Sequence, residues 1–293
     1  MNVDQFLDYM RGERNMSPLT VEAYGRDLKA FESYFTQLDR GISWESVDSD
    51  LIRDWMESMM DKGNTASSVN RRLSALRSFF RFALSRGLIS KDPAHNIEGP
   101  KKSRPLPQFV KESEMDRLLD GEGMWEDSFE DIRSRAIIMT FYETGVRLSE
   151  LTGLDIVDVD TVGCELKVTG KRNKQRIIPF GAELQKTLLS YMEARKEFGR
   201  SDGALFIDRK GKRLRNPVVR EMVKENLTKV TTIKKRSPHV LRHSFATAMV
   251  NNGAGIESVR KLLGHESIAT TEIYSHTTFE QLKKAYKHAH PRA

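Results

Sequence analysis

A proline-rich segment at the end of the first third of the chain most constrains how this protein can fold. The run DPAHNIEGPKKSRPLPQF, residues 92–109, holds four prolines and a basic cluster. Proline fixes φ and lacks an amide hydrogen, so such a run cannot continue a helix or a central strand. We therefore predict an extended linker over residues 91–109, with one domain at 1–90 and a second at 110–293. The linker could be an ordinary hinge or could follow a phosphate backbone. The length of the chain also allows one large domain instead of two.

The two predicted domains differ in charge. The chain has 48 basic and 41 acidic side chains, of which residues 1–100 contain 13 and 15, so the rest contains 35 and 26. The resulting net charge of +9 in the second part favours a polyanion such as DNA or RNA as a partner. Solvated lysines on a basic soluble protein would give the same count.

Composition excludes several classes of protein. No run of about 18 apolar residues is present, so we expect no membrane-spanning helix and no membrane partner. The first residues, MNVDQFLDYM, lack the basic and apolar regions of a secretory signal. Cys164 is the single cysteine, which excludes an internal disulfide and a metal site built on cysteine pairs. We expect a cytoplasmic protein without a metal or another cofactor.

The apolar pattern predicts a mainly helical chain. In the first domain, apolar residues recur at helical spacing after Ser17-Pro18, over residues 50–60 and over residues 65–87. In the second domain, helices surround one β-hairpin, whose strands ELKVTG and QRIIPF flank the polar turn KRNK. We predict a mainly α (α+β) fold, with a helical N-terminal domain and a C-terminal domain of helices and a small β-sheet.

Attack of a side chain on a phosphodiester needs a particular set of groups. A tyrosine hydroxyl, whose pKa is about 10, needs cationic neighbours and a base to become a good nucleophile. Guanidinium groups bind the non-bridging phosphate oxygens in pairs of hydrogen bonds, and a general acid protonates the departing oxygen. Arginine and lysine can supply the positive charge that a metal would otherwise provide.

The second domain carries these groups in a fixed order. An arginine follows a helix-breaking glycine, a lysine lies at the hairpin tip, and His239 and Arg242 share one face near a helix N-terminus, where the dipole favours an anion. Singly, each is explained as well by a structural role, such as a solvated lysine or a packed tyrosine. The candidate catalytic residues are Arg147, Lys171, His239, Arg242, His265 and Tyr274.

Taken together, these motifs resemble those of a known family. TGVRLSEL, GKRNKQR, HVLRHSFAT and LGH, followed nine residues later by a tyrosine, closely resemble the tyrosine recombinase (phage integrase) family, and the layout resembles its Xer-type members. Residues 1–90 are similar to the family's helical core-binding (SAM-like) domain. The resemblance implies a catalytic domain of the tyrosine recombinase and type IB topoisomerase type, and a two-domain clamp around double-stranded DNA.

The resemblance also implies a role for each residue. Arg147 and Arg242 would grip the scissile phosphate. His239 and His265 would contact the same phosphate, with His239 managing the proton of the nucleophile.

The remaining roles concern the nucleophile, the general acid and their support. Tyr274 would form a 3′-phosphotyrosine without metal or ATP, and Lys171 would protonate the 5′-oxygen. Glu150 would support Arg147. Arg172 departs from the family pattern, in which glycine is common after the lysine, and it would stiffen the hairpin tip.

Further basic residues are candidates for DNA contacts, although a solvated surface explains them too. They are Arg71, Arg77, Arg81, Lys101, Lys102, Arg172, Lys174 and Arg176. In the family, a tail helix, expected here at residues 278–290, is donated to a neighbouring subunit. This implies a tetramer on two DNA duplexes, and a cap on the chain's own core is the alternative.

The implied function is site-specific recombination through two strand exchanges and a Holliday-junction intermediate. The expected role is resolution of chromosome or plasmid dimers during chromosome partition and cell division, by one protein or with a second related recombinase. A mobile-element integrase is the close alternative, and the compact length favours the Xer-type role. A type IB-like topoisomerase and a catalytically inactive DNA-binding protein are alternatives of other classes.

Overall fold

The mainly α (α+β) fold is confirmed. The structure, a computed structural model, describes residues 1–102, 108–170, 173–198, 203–264 and 276–293, without the side chains of 276–278. It divides into two compact units, Met1–Pro105 and Leu106–Ala293. Helices dominate both units, and the second also holds a three-stranded sheet. Within those ranges, none of the helices combines the length and apolar character that crossing a bilayer requires.

The first unit is helical, and its helices start at side-chain caps. Ser17, Asp48 and Thr65 each accept a hydrogen bond from the backbone N–H three residues later. Helix α1 was not predicted, although its buried Phe6 and Met10 fit helical spacing. The helices are α1 (Val3–Gly12), α2 (Pro18–Leu38), α3 (Ser49–Asp61) and α4 (Ala66–Ser85).

Aromatic side chains fill the core of the first unit. The ring centroids of Trp44 and Phe79 are 4.6 Å apart, and those of Phe31 and Trp55 are 4.9 Å apart. All four residues are buried. Rings at these distances and tilts gain stability beyond their buried area, so they hold the helices in one packing arrangement.

Part of the predicted linker packs against the first unit. Ala94 and Ile97 are buried in its core. Asn70 Nδ2 donates a hydrogen bond to Pro100 O over 2.8 Å. The first half of the predicted linker is therefore packed structure, and the domain bounds predicted at 1–90 and 110–293 stay a prediction. Prolines prevent regular secondary structure, but they do not prevent burial.

The second unit is built around a buried central helix. Helix α6 is buried along most of its length and packs against α8 and α10. The helices of this unit are α5 (Glu112–Asp120), α6 (Phe129–Thr144), α7 (Leu148–Gly153), α8 (Ala182–Ala194), α9 (Asn216–Thr228), α10 (Pro238–Asn251), α11 (Ile256–Leu263) and α12 (His276–Ala289).

The predicted hairpin is present as two strands of an antiparallel sheet. Strand β1 (Val159–Asp160) was not predicted, and it pairs with β2 (Glu165–Thr169), which pairs with β3 (Gln175–Pro179). Leu166 lies opposite Ile178, and Val168 lies opposite Arg176. All four are buried, so Arg176 occupies a core-facing position of β3.

Helix α12 covers the core of its own unit in this single chain. Leu282, Tyr286 and Ala289 are buried in that core. Tyr286 Oη donates a hydrogen bond to Glu143 Oε2 over 3.2 Å. This is the arrangement that the sequence offered as the alternative to a donated tail. Donation of residues 278–290 to a neighbour stays a prediction.

Candidate active site

Arg147 lies in the short connection between α6 and α7. Gly145 ends α6 with a φ of 59°, and a Cβ there would lie 2.6 Å from Phe245 Cδ1, so only glycine fits this turn. Arg147 then takes an extended conformation before α7 begins. Its Nη1 donates to Glu150 Oε1 over 2.7 Å, and its Nη2 donates to Gly264 O over 2.9 Å. The side chain keeps 40% of its surface exposed, so the guanidinium remains accessible to a ligand.

Arg242 approaches the same place from α10. It is 7% exposed, and its guanidinium donates to Gly145 O and, over 2.6 Å, to Leu263 O. Burial and the positive charges of Arg147 and Arg176 lower the pKa of Arg242 to about 10. The group is still charged at neutral pH. Burial is the main cause of this shift, and the charges of the two neighbouring arginines add to it.

Arg176 is a buried member of this cluster, which corrects the prediction that it contacts the DNA backbone. Its Nη1 and Nη2 donate to the two carboxylate oxygens of Glu150 over 2.8 and 2.9 Å. Its Nε donates to Leu262 O over 2.9 Å. The side chain is only 8% exposed. A guanidinium held in this way cannot also bind a phosphate on the surface.

Glu150 is the buried carboxylate that joins the cluster. The contact with Arg147 that the resemblance implied is present, and Arg147 N also donates to Glu150 Oε2 over 2.7 Å. Burial raises the pKa of Glu150, but hydrogen bonds and charge from Arg176, with further bonds from Arg147, outweigh it and lower the pKa to about 2. Glu150 is therefore ionised at every physiological pH.

The three arginines meet at the C-terminal end of helix α11. The last carbonyl groups of a helix lack partners within the helix and carry the negative end of its dipole. Here Leu262 O, Leu263 O and Gly264 O accept hydrogen bonds from Arg176, Arg242 and Arg147, in that order. The chain is thus fixed immediately before His265.

Gly264 permits this convergence. Its φ of 64° lies in the left-handed region. A Cβ at this position would lie 3.1 Å from Arg176 Cζ. The left-handed turn after a helix and the closeness of the guanidinium both favour glycine.

His239 lies in the first turn of α10, three residues before Arg242. The helix starts at Pro238 after Ser237, as predicted, and His239 is exposed. His243 is half-buried, and burial together with the charge of His239 lowers its pKa. A buried arginine and an exposed histidine on one helix give α10 both a fixed cation and an accessible imidazole.

Three predicted catalytic residues lie outside the described residues. They are Lys171, His265 and Tyr274, and the short helix predicted around Tyr274 lies outside as well. The residues before His265 and Lys171 lie at the cluster, because Gly264 O accepts from Arg147 and a Cβ on Gly170 would lie 3.3 Å from Glu150 Oε1. Gly170 N donates to Lys174 O over 2.7 Å, which joins the chain on both sides of the hairpin tip.

The structure divides the predicted DNA contacts into two groups. Arg71 pairs with the buried carboxylate of Asp27, and Arg77 donates to Ile97 O and Ala94 O, so both have structural partners. Arg77 is half-buried, and its contact with DNA stays a prediction. Arg81, Lys101, Lys102 and Lys174 are exposed, and Arg172 lies outside the described residues.

A second buried polar cluster lies under the tail helix. Gly181 N and Tyr286 Oη both donate to Glu143 Oε2. Burial raises the pKa of Glu143 to about 7, although these two hydrogen bonds lower it in part. Where residues are described, no group of three or more His, Cys, Asp or Glu side chains could hold a metal ion.

Both units match models of one family. Residues 108–281 match the phage integrase family, and residues 3–87 match the phage integrase N-terminal SAM-like domain. The chain belongs to the phage integrase family. The predicted resemblance is confirmed, and this protein is a DNA breaking-and-rejoining enzyme of the tyrosine recombinase type.

Curated relatives agree with this membership, and a solved structure shares the fold. The chain is 38% identical over 315 residues to tyrosine recombinase XerC of Chlorobaculum tepidum, covering 99% of this chain and 94% of that protein. It is 34% identical over 296 residues to tyrosine recombinase XerD of Oceanobacillus iheyensis, covering 99% and 98%. The structure of the XerH site-specific recombinase bound to palindromic difH substrate, a post-cleavage complex, aligns with a TM-score of 0.73 at 23% identity, covering 97% of this chain and 84% of that one.

Proposed function

We propose that this protein is a site-specific recombinase that cuts DNA with Tyr274. The tyrosine hydroxyl gives its proton to His239, its oxygen bonds to the scissile phosphorus, and the bond from phosphorus to the 5′-oxygen breaks. A proton passes to that oxygen from Lys171. The 3′-phosphotyrosine conserves the energy of the broken bond, so a 5′-hydroxyl can reverse the step and rejoin a strand without ATP or a metal.

The convergence of arginines on the end of α11 supports this proposal most directly. Arg147 and Arg242 reach this point from different elements, and the chain continues from Gly264 to His265 and, nine residues after His265, to Tyr274. Planar guanidinium groups fixed before substrate arrives need no reorganisation when negative charge develops on a phosphate. His239, in the first turn of α10, would complete the same site.

The charge of the described cluster fits this chemistry. Three guanidinium groups and the Glu150 carboxylate leave a net charge of +2. A phosphodiester carries about one negative charge, and its pentacoordinate transition state concentrates more charge on the non-bridging oxygens. The cluster therefore stabilises the transition state more than the bound substrate, as catalysis requires.

The biological role that we propose is resolution of chromosome or plasmid dimers, as part of chromosome partition and cell division. The curated relatives named XerC and XerD support it over a mobile-element integrase. The partner would be a duplex DNA site, bound by a tetramer or with a second recombinase, in the cytoplasm. A tail helix that docks on a neighbour would place Tyr274 only when that neighbour is present.

The mechanism is tested with a nicked duplex whose site has been selected for binding from random sequences. Incubated with EDTA present, the wild-type protein should form a covalent adduct with DNA that Tyr274→Phe cannot form. An unchanged adduct in that variant, or a requirement for metal, would refute the mechanism. Relaxation of supercoiled DNA without the selected site would instead favour a topoisomerase.

The role of Lys171 has a separate test. Lys171→Ala should cleave an ordinary strand slowly, because the departing 5′-oxygen lacks its proton donor. A strand with sulfur in place of that bridging oxygen has a leaving group that needs no proton. It should restore the rate of the variant, and failure to do so would remove Lys171 from this role.

A further inference from the structure

Arg176 occupies a position that an apolar residue would ordinarily fill. It lies on the core-facing side of β3 with Ile178, opposite Val168 of β2. Taking a guanidinium out of water carries a desolvation cost, and a buried ion pair often stabilises a fold no better than apolar residues of similar volume. Folding alone therefore gives no reason for arginine here. Its three hydrogen bonds to Glu150 and Leu262 point to another role.

The hydrogen bonds to Glu150 show what Arg176 changes. An ionised carboxylate has about four acceptor positions. Arg147 fills two through N and Nη1, and Arg176 fills the other two through Nη1 and Nη2. Without Arg176, the hydrogen bonds that Glu150 accepts from a guanidinium would come from Arg147. The pair would then be neutral, and Arg147 would attract a phosphate less strongly.

Arg176 also connects two parts of the catalytic unit. Its backbone belongs to β3, whose hairpin partner β2 ends just before Lys171, and its Nε donates to Leu262 O at the end of α11. The segment after α11 leads to His265 and Tyr274. A displacement of about 1 Å in a reacting group can cost about a hundredfold in rate. One side chain thus fixes the hairpin relative to the helix end.

We propose that Arg176 is a positioning residue for strand cleavage: it compensates the charge of Glu150, so that the charge of Arg147 remains available to the scissile phosphate, and it fixes the hairpin to the end of α11. This inference rests on the proposed function. It assigns no contact between Arg176 and DNA.

The test compares two substrates that differ by one charge. One is the nicked duplex with its natural scissile phosphate, and the other carries a methylphosphonate there, which lacks one negative charge and needs less positive charge in the transition state. The variants are Arg176→Gln, which removes the charge, and Arg176→Lys, which keeps it. The control is Lys167→Gln, which removes a charge from an exposed position of β2. Adduct formation rate, Kd for the duplex and Tm are measured for each.

We expect Arg176→Gln to cleave the phosphate substrate about a hundredfold more slowly, with Kd within about twofold of wild type. On the methylphosphonate substrate, the deficit should shrink to about tenfold or less. Arg176→Lys should cleave the phosphate substrate about tenfold faster than Arg176→Gln and show no such advantage on the methylphosphonate. The control should stay within about twofold of wild type on both substrates.

Two outcomes would overturn the proposal. One is cleavage by Arg176→Gln within about threefold of wild type on phosphate, and the other is an equal deficit on both substrates, which a merely structural role predicts. If Arg176→Gln does not fold, the test relies on Arg176→Lys. Cleavage of the phosphate substrate by Arg176→Lys within about twofold of the wild-type rate would exclude positioning by the guanidinium. Failure of the proposed function would look different, because the wild-type protein would then form no Tyr274-dependent adduct.

Discussion

Replacement of Glu150 by glutamine tests whether one buried carboxylate holds the arginine cluster together. The ionised side chain accepts four hydrogen bonds of 2.7 to 2.9 Å from Arg147 and Arg176. Glutamine keeps one acceptor oxygen, but it places an amide NH2 group where Oε2 now accepts hydrogen bonds from Arg147 N and Arg176 Nη2. The variant therefore loses two hydrogen bonds and leaves two guanidinium groups without their counter-charge.

The loss of stability in Glu150→Gln can be estimated in two ways. A pKa of about 2, against an ordinary value of 4.5, corresponds to about 3 kcal/mol of stability at 1.36 kcal/mol per pKa unit. Removal of one partner from a buried ion pair costs about 3–5 kcal/mol. Arg147 is 40% exposed and water screens its share, so the lower end applies. We expect Glu150→Gln to lower the free energy of unfolding of the second unit by about 3 kcal/mol.

The pH dependence gives a second, independent measurement. Because the folded-state pKa of Glu150 is lowered, its contribution is present above the ordinary value of 4.5 and is lost as pH falls toward 2. The difference in free energy of unfolding between wild type and Glu150→Gln should therefore have its largest value at pH 7 and about half of that value at pH 3.

Urea unfolding followed by tryptophan fluorescence measures both quantities. Trp125 lies in the second unit, where its Nε1 donates to Leu118 O, whereas Trp44 and Trp55 report on the first unit. Glu257→Gln is the matched control, because Glu257 forms an exposed pair with Arg260 on α11 and its loss should cost less than about 0.5 kcal/mol. A loss below about 1 kcal/mol for Glu150→Gln, or one independent of pH, would contradict this reasoning.

Three further substitutions test other parts of the molecule. Gly264→Ala should lower the rate of strand cleavage more than the affinity for DNA. A φ of 64° costs alanine about 1–3 kcal/mol, and the added Cβ would displace Arg176. Equal losses of cleavage and of DNA binding would contradict this prediction. Burial raises the folded-state pKa of Glu143 to about 7, so the Tm of the wild-type protein should fall as pH rises from 4.5 through 7. Glu143→Gln should remove that fall. If the fall persists in the variant, another group causes it. Asp27→Asn should destabilise the first unit by about 1–3 kcal/mol, seen in urea unfolding, because Asp27 is buried beside Arg71; an unchanged midpoint would contradict that.

Local signals accounted for much of the fold. The glycines at 145 and 264 end helices in left-handed conformations, and the predicted hairpin strands are present in register. The three-residue spacing of His239 and Arg242 placed both on α10. Each of these predictions depends on neighbours within a few residues, where backbone sterics and helical or strand periodicity act directly.

Sequence periodicity could not predict hydrogen-bond partners that are distant in the sequence. Arg176 stood among other basic residues and was interpreted as a DNA contact, although the alternation with Ile178 indicated the core-facing side of β3. Arg77 was predicted to contact DNA, with a solvated surface as the alternative, but its acceptors, Ala94 O and Ile97 O, lie in a proline-rich stretch that was predicted to be a linker. In both cases the burial of a cation depended on acceptors that only the folded chain brings close.

Helix α12 fills a pocket on its own unit with Leu282 and Tyr286, and Tyr286 Oη reaches Glu143. A second copy of the chain would offer an identical pocket. Moving the helix from one pocket to the other would leave every contact of the helix unchanged, so the exchange would have almost no enthalpy of its own. Local concentration and the conformation of the connecting segment would then set the balance. Two copies held side by side on one DNA molecule would raise that concentration far above its value in dilute solution.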